Sequence, residues 1–179
     1  MISPDKALLL LIDFQERLFP HISGFAEIER AAIRLLRGAQ ALEVSVVVNE
    51  QYKKGLGETI APLNTLLGGV KRYEKRVFSS LDDKEIHDAI RKSGKRDIIL
   101  AGIETHICIL QTALALKRSG YRPIVVADAT GSRNPYDREI ALQRMVQAGI
   151  LPVTVESLLF EMTGSSEHPV FKTISGIIK

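Results

Sequence analysis

The chain of 179 residues contains no tryptophan and a single cysteine, Cys108. One cysteine cannot form an intrachain disulfide, so we expect a reducing, cytoplasmic location. The first apolar run, Ala7 to Ile12, is six residues long and ends at Asp13. It is too short to cross a membrane, and no small-residue cleavage site follows it. We therefore expect neither a membrane span nor a signal peptide.

Motifs for metals and nucleotides are also absent from the sequence. Its few histidines are scattered, and none has metal-ligand spacing with a carboxylate: His21, His87, His106 and His168. No G-x-G-x-x-G motif follows a strand, and no G-x-x-x-x-G-K-[ST] motif occurs, so the phosphate cradles of dinucleotide-binding and P-loop proteins are missing. We predict no metal and no cofactor.

Charge of one sign does not dominate the chain. The 24 Lys and Arg residues are interleaved with 21 Asp and Glu residues, which gives a formal net charge of +3. The densest basic stretches, Lys53 with Lys54 and Lys71 to Arg76, are short. Such stretches are typical of a solvated surface, so we expect no nucleic-acid partner and no membrane partner.

Short apolar runs, continuous rather than alternating, indicate strands of a parallel sheet that is covered on both faces. These runs are residues 7–12, 44–48, 98–103, 123–127 and 151–155. Stretches with helical periodicity lie between or after them, at residues 28–42, 82–94, 134–149 and 167–179. The glycine-rich residues 50–69 are predicted to form a loop near the mouth of a site.

Alternating strands and helices predict an α/β fold with right-handed crossovers. We expect one domain over residues 1–179, with three α/β/α layers and a central, mainly parallel sheet of about six strands. Ligands bind at the carboxyl ends of the strands in such sheets. Asp13 follows the first strand, Lys75 lies near another likely strand, and Cys108 opens the helix after residues 98–103.

Asp13, Lys75 and Cys108 would form a coherent set for acyl transfer, although spacing alone cannot show that they touch. A helix N-terminus and an ammonium group stabilise a thiolate, and a carboxylate can accept and return its proton. The alternative for each is structural: packing for the thiol, a turn cap for the carboxylate and a solvated charge for the lysine.

Two neighbours of the thiol suggest other arrangements. His106 lies about 200° from Cys108 around a regular helix, which disfavours a Cys-His dyad. Thr105 precedes Cys108 by three residues, as in the Thr-x-x-Cys motif of thiol peroxidases. Those proteins also need a proline near Ala101, which is absent, and an arginine that we cannot assign. Thiol peroxidase is therefore the weaker enzyme hypothesis.

The motifs and their order resemble the isochorismatase-like cysteine hydrolases, most closely the subgroup of isochorismatase domain-containing proteins. The resemblance spans Ala7 to Met162 and rests on "LLLLIDFQERLF", "VVVNEQYKKGLG", "EKRVFSS", "LAGIETHICILQTALAL", "VVADATGSR" and "ALQRMVQAG". It implies a catalytic role for Asp13 with Gln15 beside it, for Lys75 before Phe78 and Ser79, and for Cys108 after Gly102 and Thr105.

The same resemblance implies a non-proline cis peptide between Ile103 and Glu104, with the backbone N–H groups of Glu104 and Cys108 as oxyanion donors. Nicotinamide-hydrolysing relatives usually carry a D-x-H metal motif after the second strand, where this chain reads "VNEQYKKG". Relatives that hydrolyse the vinyl ether of isochorismate often lack the cysteine. Both comparisons favour hydrolysis of another amide without a metal.

The resulting hypothesis is a hydrolase that cleaves a small carboxamide, imide or ureido compound through a thioester. Five residues are expected to line the pocket, because they adjoin the catalytic candidates: Phe14, Gln51, Tyr52, Phe78 and Glu104. The alternative is a catalytically silent oligomeric scaffold or binding protein, which a Cys108 thiol of ordinary reactivity toward iodoacetamide at pH 6 would favour. In either case the resemblance implies a homo-oligomer.

Overall fold

The structure, a computed structural model, describes residues 1–179. Its strands are β1 (Ala7–Ile12), β2 (Ser45–Gln51), β3 (Arg72–Lys75), β4 (Asp97–Ile103), β5 (Arg122–Gly131) and β6 (Leu151–Val153). Its helices are α1 (Phe25–Ala41), α2 (Lys53–Leu56), α3 (Ala61–Leu67), α4 (Lys84–Lys92), α5 (Leu110–Arg118), α6 (Pro135–Gln147), α7 (Val155–Thr163) and α8 (Phe171–Ile178).

The six strands form one sheet in the order β3-β2-β1-β4-β5-β6, and every neighbouring pair is parallel. Helices cover both faces, which confirms the predicted three-layer α/β/α fold. The order places β1 and β4 side by side at the centre, where the chain reverses its direction of winding. In such folds the crevice at the carboxyl ends of these central strands is the usual ligand site.

Two hydrophobic cores, one on each face of the sheet, explain why the strands are continuously apolar. Leu9 and Leu11 of β1 point into a core shared with α1, α3, α7 and α8, whereas Leu8 and Leu10 point into a core shared with α4, α5 and α6. All six residues of β1 are buried. Side chains alternate across a strand, so a strand buried on both faces needs apolar residues at every position.

Helices α4 and α6 begin where capping residues in the sequence predict their starts. Asp83 caps α4 by accepting hydrogen bonds from the N–H groups of Glu85 and Ile86. Asn134 caps α6 by accepting from the Tyr136 N–H, and Pro135 occupies the first helical position. Caps of this kind satisfy N–H groups that have no partner inside the helix. The predicted starts of both helices are confirmed to within two residues.

The structure corrects three predictions. Residues 50–69 are not one loop, because they contain the end of β2 and the short helices α2 and α3. The last strand stops at Val153, since the Thr154 side chain caps α7 in a capping box with Ser157. Cys108 does not open a regular helix: it lies in a π-helical turn, Thr105–Ile109, that precedes α5. None of the helices combines the length and apolar composition needed to span a bilayer.

Candidate active site

Asp13, Lys75 and Cys108 lie together at the carboxyl edge of the sheet. Asp13 follows β1 directly and adopts a left-handed φ of 57°, and its N–H donates to the Asn49 carbonyl at 3.1 Å. Aspartate tolerates this conformation better than most residues. Lys75 is the last residue of β3, and Cys108 follows β4 by way of the π-helical turn. The parallel strands therefore deliver three distant residues to one place.

The Lys75 ammonium is the centre of this cluster. Its Nζ donates to Asp13 Oδ2 at 2.8 Å and to Gln51 Oε1 at 2.7 Å, and it lies 3.6 Å from Cys108 Sγ. The Lys75 and Asp13 side chains are 0% and 1% exposed. Lysine has three N–H donors, and all three have an acceptor here. The ammonium thus fixes the carboxylate and the sulfur relative to one another.

Burial controls the protonation of the carboxyl and thiol groups. It raises the pKa of Asp13, and the Lys75 charge opposes this shift only in part. Burial, together with the Asp13 charge, raises the pKa of Cys108 to about 12, with Lys75 again opposing. Lys75 lowers the pKa of Cys108, as the sequence-based hypothesis of a stabilised thiolate requires, but burial outweighs this effect. The thiol keeps its proton, beside a carboxylate that is more basic than usual.

Unpartnered polar atoms surround the same edge. The buried side-chain atoms without a hydrogen-bond partner are Asp13 Oδ1, Asn49 Oδ1, Ser79 Oγ and Thr105 Oγ1. They lie at or just beyond the carboxyl ends of β1, β2, β3 and β4. Leaving a buried polar group unpaired costs about 1–3 kcal/mol. Their concentration at one edge indicates a place where a polar ligand or water is bound.

The backbone between β4 and Cys108 has two unusual features. The Ile103–Glu104 peptide is cis, and the Glu104 N–H donates no hydrogen bond to another group of the protein. Gly102 has a φ of 138°, and a Cβ there would lie 2.0 Å from the Ile12 carbonyl oxygen. Only glycine permits this close approach of β4 to β1. Four residues before Cys108, the Glu104 N–H is thus free to donate.

Comparison with known proteins places the chain in a family. Residues 7–157 match the Isochorismatase domain. The chain belongs to the isochorismatase family. It is 42% identical over 179 residues to isochorismatase domain-containing protein 1 of Danio rerio, and the match covers 99% of this chain but 62% of the fish protein. The chain thus spans less than two thirds of that relative.

Two solved structures of the isochorismatase fold are similar to this one. MAR1 ribonuclease of Caenorhabditis elegans superimposes with a TM-score of 0.93 and 36% identity, over 99% of this chain and 91% of the worm chain. The YcaC gene product of Escherichia coli, described as an octameric hydrolase of unknown specificity, has a TM-score of 0.93 and 21% identity, over 98% of this chain and 89% of that chain. The latter similarity shows the fold alone.

Gln15 and Glu50, both buried, hold the end of β2 and the segment after it in place. This structural role was not predicted from the sequence. The Gln15 side chain accepts from the Gln51 N–H at 2.7 Å and donates to the carbonyls of Gln51 and Gly57. Glu50 accepts from both the N–H and the hydroxyl of Thr59 at 2.8 Å. The segment that carries Gln51 and Tyr52 is therefore fixed beside Lys75.

The predicted pocket residues have different environments. Phe14 is buried and its ring packs against Phe19, so it belongs to the α1-side core. Gln51 contacts Lys75, whereas Tyr52 and Phe78 are 40% and 53% exposed. None of the main cavities is lined by a member of the Asp13, Lys75 and Cys108 cluster. Asp13, Lys75 and Cys108 are at most 6% exposed, so the cluster itself is nearly closed to solvent.

The remaining residues near Cys108 point elsewhere. Glu104 is buried and accepts from the N–H and the Nε of Arg133 at 2.9 and 3.1 Å. The His106 Nδ1 lies 2.9 Å from Ser132 Oγ, and its Nε2 lies 4.0 Å from Asp137 Oδ2. His106 is therefore engaged away from the thiol. No group of three or more His, Cys, Asp and Glu side chains is arranged to hold a metal ion.

Proposed function

We propose that this protein is a cysteine hydrolase that cleaves a C–N bond of a small carboxamide, imide or ureido compound. The observation that carries the proposal is the Lys75 ammonium, which contacts the Asp13 carboxylate at 2.8 Å and the Cys108 sulfur at 3.6 Å in a buried site. Membership of the isochorismatase family supports hydrolysis as the general activity. Asp13 would be the base, Cys108 the nucleophile and Lys75 the group that positions both.

The first half of the reaction forms a thioester. Asp13 takes the thiol proton as Cys108 Sγ bonds to the carbonyl carbon, and the C=O electron pair moves onto oxygen. Collapse of this intermediate breaks the C–N bond, and Asp13 returns the proton to the leaving nitrogen. Backbone N–H groups of Glu104 and Cys108 would stabilise the oxyanion, at about 3 kcal/mol per donor in other enzymes.

The second half hydrolyses the thioester with the same groups. Asp13 removes a proton from water as the water oxygen bonds to the acyl carbon, and the C–S bond then breaks. The departing sulfur takes the proton back from Asp13 and restores the thiol. The unpartnered Asp13 Oδ1 supports this role, because it is a free acceptor in the site.

The raised pKa of the thiol determines the order of these events. Ionising a thiol of pKa about 12 at pH 7 would cost about 7 kcal/mol before any bond formed. Transfer of the proton to Asp13 during the attack avoids a free thiolate. The raised pKa of Asp13 makes its carboxylate a better acceptor for that proton.

A panel of small amides, imides and ureido compounds, assayed for release of ammonia or amine, tests the proposal. We expect Cys108→Ala to reduce turnover at least 1,000-fold, to the level of the blank, as loss of a nucleophile does. The variant should keep its circular dichroism spectrum, because the change removes one small side chain. Turnover by the variant at the wild-type rate would disprove the mechanism. Thioester trapping, detected as a mass increase on Cys108, provides a second measurement.

Slow alkylation of Cys108 by iodoacetamide does not distinguish a hydrolase from a catalytically silent scaffold, so another measurement is needed. A thiol with a pKa of about 12 reacts slowly with iodoacetamide at pH 6 in an enzyme and in a scaffold alike. Single-turnover acylation by a substrate separates the two, because it depends on Asp13. Cleavage of RNA should be assayed in parallel, since a structural neighbour is named a ribonuclease. RNA cleavage that survives Cys108→Ala would be independent of this site.

We also propose that the protein forms a homo-oligomer. Exposed apolar side chains lie along α6 and at the start of β6: Tyr136, Ile140, Val146 and Leu151. The octameric YcaC gene product shows that this fold assembles in at least one case. Light scattering after size exclusion should give a mass at least twice the 19.8 kDa of one chain. A monomer at micromolar concentration would contradict this proposal.

A further inference from the structure

The main cavity of the molecule lies at the amino edge of the sheet, opposite Cys108. It has a volume of about 510 Å³ and lies where β1, β4 and β5 begin and where α5 ends. The charged side chains that line it are four basic and one acidic: Lys6, Arg96, Lys117, Arg122 and Asp97. This excess of three positive charges equals the formal net charge of the whole chain, +3. We propose that the cavity binds a small anion that carries one or more phosphate groups.

Backbone hydrogen bonds join the three chain segments that carry Lys6, Arg96 and Arg122 at this edge. The Arg96 N–H donates to the Lys6 carbonyl at 3.2 Å, and the Arg122 N–H donates to the Arg96 carbonyl at 2.9 Å. The register pairs Ala7 with Asp97 and Asp97 with Arg122, so Arg122 lies opposite the acidic residue, and Lys6 and Arg96 precede this row by one residue. Like charges that line one cavity repel one another. An anion between them would remove that repulsion.

Most of these charges have no carboxylate partner. Arg122 is paired with Asp97, to which it donates from Nε at 2.8 Å. Lys117 donates to the Gly149 carbonyl at 2.8 Å, and neither Lys6 nor Arg96 forms an ion pair. The cavity therefore presents three cations whose charge is not neutralised by a salt bridge.

Two further acidic groups lie near the rim. The Asp5 carboxylate accepts from Ser3 Oγ and feels the charges of Lys6 and Lys95, while Glu161 accepts from the Ile2 N–H at 2.7 Å. Neither lines the cavity. The lining itself therefore keeps its excess of three positive charges.

The size of the cavity favours a small ligand over a nucleic acid. Ligand pockets of about 300–1,000 Å³ hold molecules of the size of a nucleotide or smaller. Binding of a single strand uses a long basic groove with several aromatic platforms. Here the basic residues converge on one cavity, and Tyr121 is the only aromatic residue in its lining. Phosphate groups match the arginine and lysine donors in both charge and geometry.

Thermal unfolding and calorimetric titration of the full chain with sodium phosphate, pyrophosphate and ADP test the proposal. Sodium chloride of equal ionic strength serves as the salt control. We expect pyrophosphate to raise the Tm and to bind with a Kd below 1 mM at low salt, by analogy with multidentate charge-assisted contacts. Arg96→Gln should weaken binding about tenfold, as loss of one charge-assisted contact does.

Arg37→Gln is the matched control, because Arg37 is exposed on α1, forms no ion pair and lies outside the cavity. It should leave pyrophosphate binding unchanged. Without ligand, Arg96→Gln should unfold at the same or a higher temperature than the wild type, since it relieves repulsion. A merely structural role for Arg96 predicts a lower Tm instead.

Three results would overturn the proposal: no binding of any of these anions up to 5 mM, equal weakening by Arg37→Gln, or binding of a 12-nucleotide RNA without binding of pyrophosphate. These measurements do not depend on the hydrolase activity. Failure of the amide assay would therefore leave the anion result unaffected, and the reverse also holds.

Discussion

The two ends of the sheet each carry a lysine or arginine paired with an aspartate, but the two pairs differ in their hydrogen bonding. At the amino edge, Arg122 binds both carboxylate oxygens of Asp97 and is 44% exposed. At the carboxyl edge, Lys75 is 0% exposed and binds one oxygen of Asp13, while the other oxygen has no partner. An ion pair in which both carboxylate oxygens accept hydrogen bonds can contribute to the stability of the fold. A buried pair with a free acceptor is available for chemistry.

Removing one cation from each pair gives the largest expected difference in stability. Lys75→Met leaves the buried Asp13 carboxyl without its counter-ion, and breaking a buried pair in this way typically costs about 3–5 kcal/mol. Arg122→Met disrupts a partly exposed pair and should cost about 1 kcal/mol. Urea unfolding of both variants measures the two free energies. The double change Asp13→Asn with Lys75→Met should be less destabilising than Lys75→Met alone, and equal losses for the two single variants would refute the comparison.

The pH dependence of stability provides a second contrast. Burial raises the pKa of Cys108 from about 9 to about 12, so the folded state retains a proton that the unfolded state loses between these values. The stabilising contribution of the neutral thiol is complete below pH 9 and is lost as the pH rises toward 12. Relative to Cys108→Ala, the wild type should lose up to about 1.4 kcal/mol per pH unit in this window.

Urea unfolding of both proteins between pH 8 and 10.5 measures this difference, and the shared titrations of lysine and tyrosine cancel in the subtraction. A difference that stays constant across the window would mean that the thiol is no harder to ionise in the folded protein. At the amino edge, Arg122→Met should show no comparable slope, since arginine stays charged throughout.

The smallest expected effect on stability concerns Phe78, which is proposed to line the substrate pocket. Phe78 is 53% exposed, so Phe78→Ala should change the free energy of unfolding by less than about 0.5 kcal/mol. If the ring contacts substrate, KM should rise about tenfold with the substrate identified in the amide panel. Val146→Ala, on α6 and 52% exposed, is the control and should leave KM unchanged. Equal KM for both variants would remove Phe78 from the pocket.

The sequence predicted the fold because its signals were local. Continuous apolar runs identify strands buried on both faces, and caps such as Asn134 identify where helices begin. The carboxyl-edge position of Asp13 and Cys108 followed from the same strand assignments. These features depend on neighbours in the chain and are therefore visible without a structure.

Features that depend on distant residues were not predictable. Two hydrogen bonds order the segment 50–69: the Gln15 side chain donates to the Gly57 carbonyl, and the Glu50 carboxylate accepts from the Thr59 N–H. Its glycines therefore misleadingly indicated a loop. The direction of the Cys108 pKa shift depends on burial in the core shared with α4, α5 and α6, whereas the sequence showed only a helix start and a lysine. Burial is a property of the folded chain as a whole.

Gly102 limits how this site could be redesigned. Because a Cβ at this position would lie 2.0 Å from the Ile12 carbonyl oxygen, the separation of β1 and β4 is set by contact between main chains. Asp13 follows one of these strands and Cys108 follows the other by five residues. Substitutions at the exposed Tyr52 and Phe78 would leave this main-chain contact unchanged. The separation of Asp13 and Cys108 is therefore fixed by the backbone, and no side chain at position 102 is available to adjust it.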